Sequence, residues 1–170
     1  MRKTLILTFG LFLSVWSSAQ SIDHYQLKLR TGTRTPEANI DPVGWPKFLE
    51  STTSIQGKVF AFLQFESPLT ESGIKELRAT GIDLNGFIGA HAYQAVILGT
   101  PSWETLKRLG VRAAFTLSAS EKLSPALFAR SYPAWAVRSA GTLDVWVEFS
   151  SFLSYSQIQS LLSEAGFQIR

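Results

Sequence analysis

The sequence predicts an α+β fold, and three observations carry that prediction. Several runs of about five to eight residues alternate apolar and polar side chains, the period of a half-buried strand. Between them lie two short segments with helix-opening and helix-stopping chemistry. Strands and helices also interleave rather than forming separate blocks, so neither an all-α nor an all-β architecture fits.

The first 19 residues read as a targeting segment outside the fold. Arg2 and Lys3 precede an apolar run over residues 5–16, and the small residues Ser17, Ser18 and Ala19 follow. That is the layout of a secretory signal peptide cleaved after Ala19, and the run is short for a bilayer span. The expected location is secreted or periplasmic, with no membrane attachment after cleavage. Removing Arg2 and Lys3 from the 16 basic residues leaves 14 against 13 acidic ones, so the mature chain is nearly neutral. It has no strong field to gather nucleic acid or anionic lipid. The chain has no cysteine, which excludes disulfides, thiolate metal sites and thiol nucleophiles.

Residues 20–57 are expected to form an N-terminal strand and loop. "HYQLKLR" alternates Tyr25, Leu27 and Leu29 with polar residues, whereas "TGTRTPEANIDPVGWP" has turn chemistry rather than helix chemistry. Residues 58–118 form the clearest unit. Lys58 to Phe65 reads as a strand. Thr70 then caps a helix, with Leu69 placed to staple onto Ile74, and Gly81 stops it so that Ile82 folds back on Leu77. "IDLNGFIG" and "AYQAVILG" read as a hairpin around "GAHA". Thr100 and Pro101 open a second helix, Gly110 closes it, and "VRAAFTLS" is the last strand. The order β-α-β-β-α-β is that of the ferredoxin-like split βαβ arrangement: an antiparallel sheet with two helices on one face.

Residues 119–141 are expected to be a connector, with Leu127, Phe128, Tyr132 and Trp135 packed down. Residues 142–170 resemble the start of the central unit. Shifted by 84 positions, Val59, Leu63, Phe65, Leu69, Ile74 and Leu77 fall on Leu143, Val147, Phe149, Leu153, Ile158 and Leu161. Ser154 and Gln157 supply a capping box. This is a truncated second βα unit without a hairpin or second helix. Either it adds onto the first domain or the chain is the front part of a longer one, with "FQIR" opening a further strand.

Alternation along the strands assigns faces. Val59, Ala61, Leu63 and Phe65 should lie under the helices. Phe60, Phe62 and Gln64 should face the other way, as should Trp146 in the second unit. This mixed aromatic and polar face is either a protein-contact surface or is covered by residues 22–30 or by the second unit. Phe60, Phe62, Gln64 and Trp146 are therefore the candidate protein-binding residues.

No catalytic constellation emerges. The nucleophile-elbow, zinc-protease and phosphate-loop motifs are absent, no metal or cofactor site is expected, and His91 reads as a solvated turn histidine. RNA-recognition modules share this element order, and "NGFIGAHAY" faintly echoes one of their strands. The basic first position is missing, however, and His91 stands where an apolar residue belongs, so no nucleic-acid partner is expected.

Taken together, "HYQLKLRTGTRTP", "KVFAFLQFESPLTESGIKELRATGIDL" and "GFIGAHAYQAVI" resemble the N-terminal prosegment region of secreted bacterial subtilisin-like serine protease precursors, over roughly residues 20–125. The resemblance implies a ferredoxin-like prodomain. Its sheet would dock on the protease, in cis or in trans, assist folding and transiently inhibit. The docking face would be the Phe60 and Phe62 side, and the inhibitory tail would follow Leu117. The family's catalytic domain is absent, so the resemblance implies that this chain is not itself a peptidase. The alternative is a free-standing secreted structural or adhesion domain.

Overall fold

The computed structural model describes residues 24–139 and 141–169. The expected signal peptide lies outside the described residues. The chain is mixed α+β, with antiparallel sheets and several helices.

Strands β1 (Leu27–Leu29) and β2 (Gly32–Arg34) form a short hairpin, and helix α1 (Gly44–Ser51) follows. The main sheet is built from β3 (Ser54–Ile55), β4 (Lys58–Phe65), β5 (Ile82–Gly89), β6 (Ala92–Leu98) and β7 (Val111–Phe115). Its four long strands lie in the order β7-β4-β6-β5, every neighbour antiparallel, and β3 adds a two-residue pairing at the start of β4. Helix α2 (Glu71–Ala79) links β4 to β5, and α3 (Trp103–Arg108) links β6 to β7.

The local chemistry of α2 is as the sequence predicts. Thr70 Oγ1 accepts the Gly73 N–H at 3.2 Å, one of the orphan donors at a helix start. At the other end Gly81 has φ +87°, and a Cβ there would sit 2.6 Å from the Leu98 carbonyl oxygen, so only glycine fits. Leu77 and Ile82, on either side of it, are both buried in the main core. Helix α3 starts later than expected. Its cap is Ser102, whose Oγ accepts the Thr105 N–H, rather than Thr100.

The main core joins Ala61, Leu63 and Phe65 of β4 to Leu77 of α2 and Leu106 of α3, which confirms the inward face read from alternation. It also contains Ile40 and Trp45, and this is the first correction. Residues 20–57 are not only a strand and a loop. Asp41 accepts the Val43 and Gly44 N–H groups at 2.8 and 2.7 Å, which starts α1 inside the segment expected to be turn. These same two bonds hold the Asp41 carboxyl below the usual carboxylate range. Trp45, only 2% exposed, stacks on Phe48 and donates Nε1–H to the Pro101 carbonyl at 2.7 Å. Three helices therefore cover this face, not two. A boundary at residue 58 would cut through one core.

The C-terminal part departs further from expectation. Short helices α4 (Ala119–Lys122) and α5 (Pro125–Phe128) and a 3-10 turn (Ala134–Ala136) occupy the connector. Of its large apolar residues only Leu127 is half-buried; Phe128, Tyr132 and Trp135 are exposed, Trp135 at 76%. Strands β8 (Val137–Ser139) and β9 (Thr142–Leu143) make a small hairpin, and α6 (Tyr155–Glu164) has the Ser154/Gln157 capping box. The helix of the second βα unit thus forms and its strand does not. Past Leu143 the Asp144 N–H still bonds to the Ala136 carbonyl at 2.9 Å, and residues 145–149 then form no strand. The expected strand at residues 167–169 is also not formed.

Candidate docking face

The site built from the sequence is the sheet face turned away from the three helices. Phe62 lies on it, with its ring 5.5 Å from that of Phe115 and nearly parallel. A second cluster gathers there. Leu27, Ala92 and Phe115 are buried, and Leu29, Phe62, Ile88, Ala90 and Leu117 pack around them. The N-terminal hairpin is therefore the cover for this half of the face.

Beneath that cover Gln64 is completely buried. A buried amide needs its partners, and Gln64 has three. Its Nε2 donates to the carbonyls of Tyr25 and Ala90, each at 2.9 Å, and its Oε1 accepts from Arg112 Nη1 at 2.9 Å. Arg112 also donates to the Pro36 carbonyl at 2.8 Å and lies 4.2 Å above the Tyr25 ring. Gln64 is thus an interior clamp between β4 and the N-terminal segment. Its assignment to a docking surface is corrected, because its hydrogen-bonding capacity is spent inside the protein. Phe62 is half-buried and partly taken up by the same cover.

A second clamp ties β2 to α4. Arg34 Nη1 donates to the Thr116 carbonyl and to Glu121, and its guanidinium lies 5.0 Å from the Phe115 ring centre. Glu121 closes the capping box of α4 by accepting from the Ser118 N–H at 2.7 Å. That backbone bond chiefly lowers the Glu121 carboxyl below its ordinary value. Desolvation opposes it, and the Ser118 hydroxyl and Arg34 add to the lowering. An open groove of about 760 Å³ runs between the β1–β2 hairpin and α4–α5, with Arg30, Ser120 and Phe128 along its walls.

The other half of the face meets the C-terminal segment. Lys58 Nζ donates to the Phe152 carbonyl at 3.2 Å, Asn85 Nδ2 donates to Ser151 Oγ at 2.9 Å, and Gln157 donates to Gln56. Phe60 is half-buried on this side, and Trp146 is 98% exposed in a stretch that is not strand. Of the four candidate residues, Phe60 and Phe62 share the face, Gln64 lies under it, and Trp146 stands outside the sheet altogether.

The edge strand β7 is protected by a device the sequence did not disclose. The Asn39 side chain donates to the Ala114 carbonyl and accepts the Ala114 N–H, both at 2.8 Å, while the Asn39 N–H reaches the Arg112 carbonyl at 3.3 Å. One amide stands where a neighbouring strand would otherwise pair. In the β5–β6 turn, Ala90 and His91 both have positive φ, 47° and 56°. The His91 ring is half-buried, not solvated as expected, and its Nδ1 has no hydrogen-bond partner among the described residues. No group of three or more metal-ligating side chains occurs among the described residues, and none of their helices is long and apolar enough to cross a membrane.

Arg112, Arg34, Glu121 and Asn39 escaped sequence reading. Two of them left a signal. Arg112 interrupts the buried apolar run of "VRAAF", and Ser118-x-x-Glu121 is a capping box.

A family model described as a domain of unknown function (DUF8729) matches residues 28–118. The chain belongs to this family. The matched span runs from β1 through β7, so it takes in the hairpin and α1 together with the main sheet. Neither the curated proteins nor the solved structures contain a match to the chain.

Proposed function

We propose that this DUF8729 chain is a non-catalytic, secreted prodomain that assists the folding of a subtilisin-like serine endopeptidase and transiently inhibits it. In this reading the sheet is a ferredoxin-like split βαβ, and the strand order β7-β4-β6-β5 with α2 and α3 crossing one face is the observation that carries it. The side opposite the helices is covered only in part, by the β1–β2 hairpin and the C-terminal segment, and what is left of it can be given to another folded body. The arrangement also fits a folding assistant in rate terms. A protease rich in long-range contacts folds slowly, and a small domain that binds its near-native state lowers the barrier. The partner is the subtilisin-like catalytic domain, in cis or in trans, with no nucleic acid, membrane, metal or cofactor involved.

The docking surface in this proposal is smaller than the alternation of side chains implied. On the sheet it centres on Phe60, with Phe62 at its margin and Gln64 removed, while Trp146 adds an exposed ring outside the sheet. Trp135 and Trp146, both largely exposed, are also what a free-standing adhesion domain would present, and this is the competing reading.

The experiment adds the chain, freed of residues 1–19, to subtilisin-like proteases and to their unfolded forms. Inhibition at micromolar concentration or faster recovery of protease activity is expected, with Phe60→Ser and Trp146→Ser each weakening inhibition about tenfold, the equivalent of about 1.4 kcal/mol. Failure of both effects with a cognate enzyme overturns the proposal.

A further inference from the structure

Residues 145–149, Val-Trp-Val-Glu-Phe, form the strongest unused strand signal in the chain. They follow β9 with only Asp144 between, yet none of their backbone groups makes a hydrogen bond within the protein among the described residues. Trp146 is 98% and Val147 48% exposed, and Glu148 is exposed too. The peptide groups of a strand-forming stretch are thus left to water, the condition in which a strand accepts another chain.

We infer that residues 145–149 pair antiparallel with the same residues of a second copy of this chain, about a two-fold axis at Val147. The stretch is self-complementary in that register. Val145 lies opposite Phe149 of the other copy, and Trp146 opposite its Glu148. Val145, Val147 and Phe149 of both copies then make one apolar face. A register centred on Trp146 would set Asp144 against Glu148, and one centred between Trp146 and Val147 would mix apolar and charged side chains on both faces. A register centred on Val145 would need Leu143, which is already paired with Val137 in β8, so the Val147-centred register is the one left. The ribbon is short, so the contact belongs with small, weak interfaces whose dissociation constants are micromolar or higher. The pairing needs no protease partner, and because it takes up Trp146 it competes with the docking proposed above.

The test uses the whole chain freed of residues 1–19. Sedimentation equilibrium should show a monomer–dimer equilibrium with a dissociation constant on the order of 10–500 μM. Val147→Asp places two like charges on the axis and should weaken the dimer at least tenfold. The monomer fold should persist, because Val147 makes no backbone bond within it. The chain has no cysteine, so Val147→Cys offers a second reading. Facing Cα atoms across a strand pair are about 4.5–5.5 Å apart, within disulfide reach. V147C should crosslink at least tenfold faster than E164C on α6. A protein that stays monomeric up to about a millimolar, or a V147C variant that crosslinks no faster than E164C, overturns the inference.

Discussion

Replacing Gln64 with leucine tests the clamp between the sheet and the N-terminal segment. The change keeps the side-chain volume and removes one acceptor and two donors from a fully buried position. The Tyr25 and Ala90 carbonyls lose a partner at a half-exposed position where water can partly substitute, at about 1 kcal/mol each. Arg112 loses one of its two side-chain hydrogen bonds, and a charged donor left short costs about 2 kcal/mol. The extra buried apolar surface of leucine offsets about 1 kcal/mol. The net loss is about 3 kcal/mol, a fall in melting temperature on the order of 6–12 °C for a chain of this size. Urea unfolding followed by tryptophan fluorescence and circular dichroism measures it. Combining Gln64→Leu with Arg112→Met should cost less than the sum of the two single changes by about 1–2 kcal/mol, since both ends of one bond are then apolar. A single-variant loss below about 1 kcal/mol, or strict additivity, would refute the clamp.

Further outcomes follow from other contacts. Trp45→Ala should cost about 3–5 kcal/mol by urea unfolding, and a chain beginning at Lys58 should show no cooperative transition, because α1 completes the main core. Asn39→Ala uncovers the β7 edge, so it should lose about 2 kcal/mol and raise the rate of aggregation seen by light scattering. Replacing Ala90-His91 with Asn-Gly suits two left-handed residues and should raise stability by about 1 kcal/mol in thermal unfolding. Glu121 titrates lower when folded than when unfolded, so its contribution is full above its ordinary value near 4.5 and is lost as pH falls through the lower folded value. Glu121→Gln should flatten that acid limb of the stability–pH curve, and an unchanged limb would show that Glu121 does not contribute to it.

Much of the central unit was legible because its determinants are local. Thr70, Gly81 and the alternation of Val59, Ala61, Leu63 and Phe65 act within a few residues, so a cap, a left-handed stop and a two-faced strand can be read along the chain. Helix α1 was obscured by Pro42, Gly44 and Pro46, which read as turn residues although Asp41 caps a helix among them. The second βα unit shows the opposite error. Residues 145–149 have the composition of a strand, but a strand exists only when an edge is there to pair with it.

By itself, then, the sequence settled which face of β4 turns to the helices and where α2, α6 and the β5–β6 hairpin lie, since periodicity and capping are properties of neighbours in the chain. Only the tertiary structure decided what covers the opposite face. Gln64 became interior because Tyr25, Ala90 and Arg112 converge on it from three separate elements, and hydrogen bonds between residues as far as 48 positions apart leave no trace in local pattern. Burial of a polar side chain depends on partners that the folded chain brings together, which alternation along one strand cannot reveal.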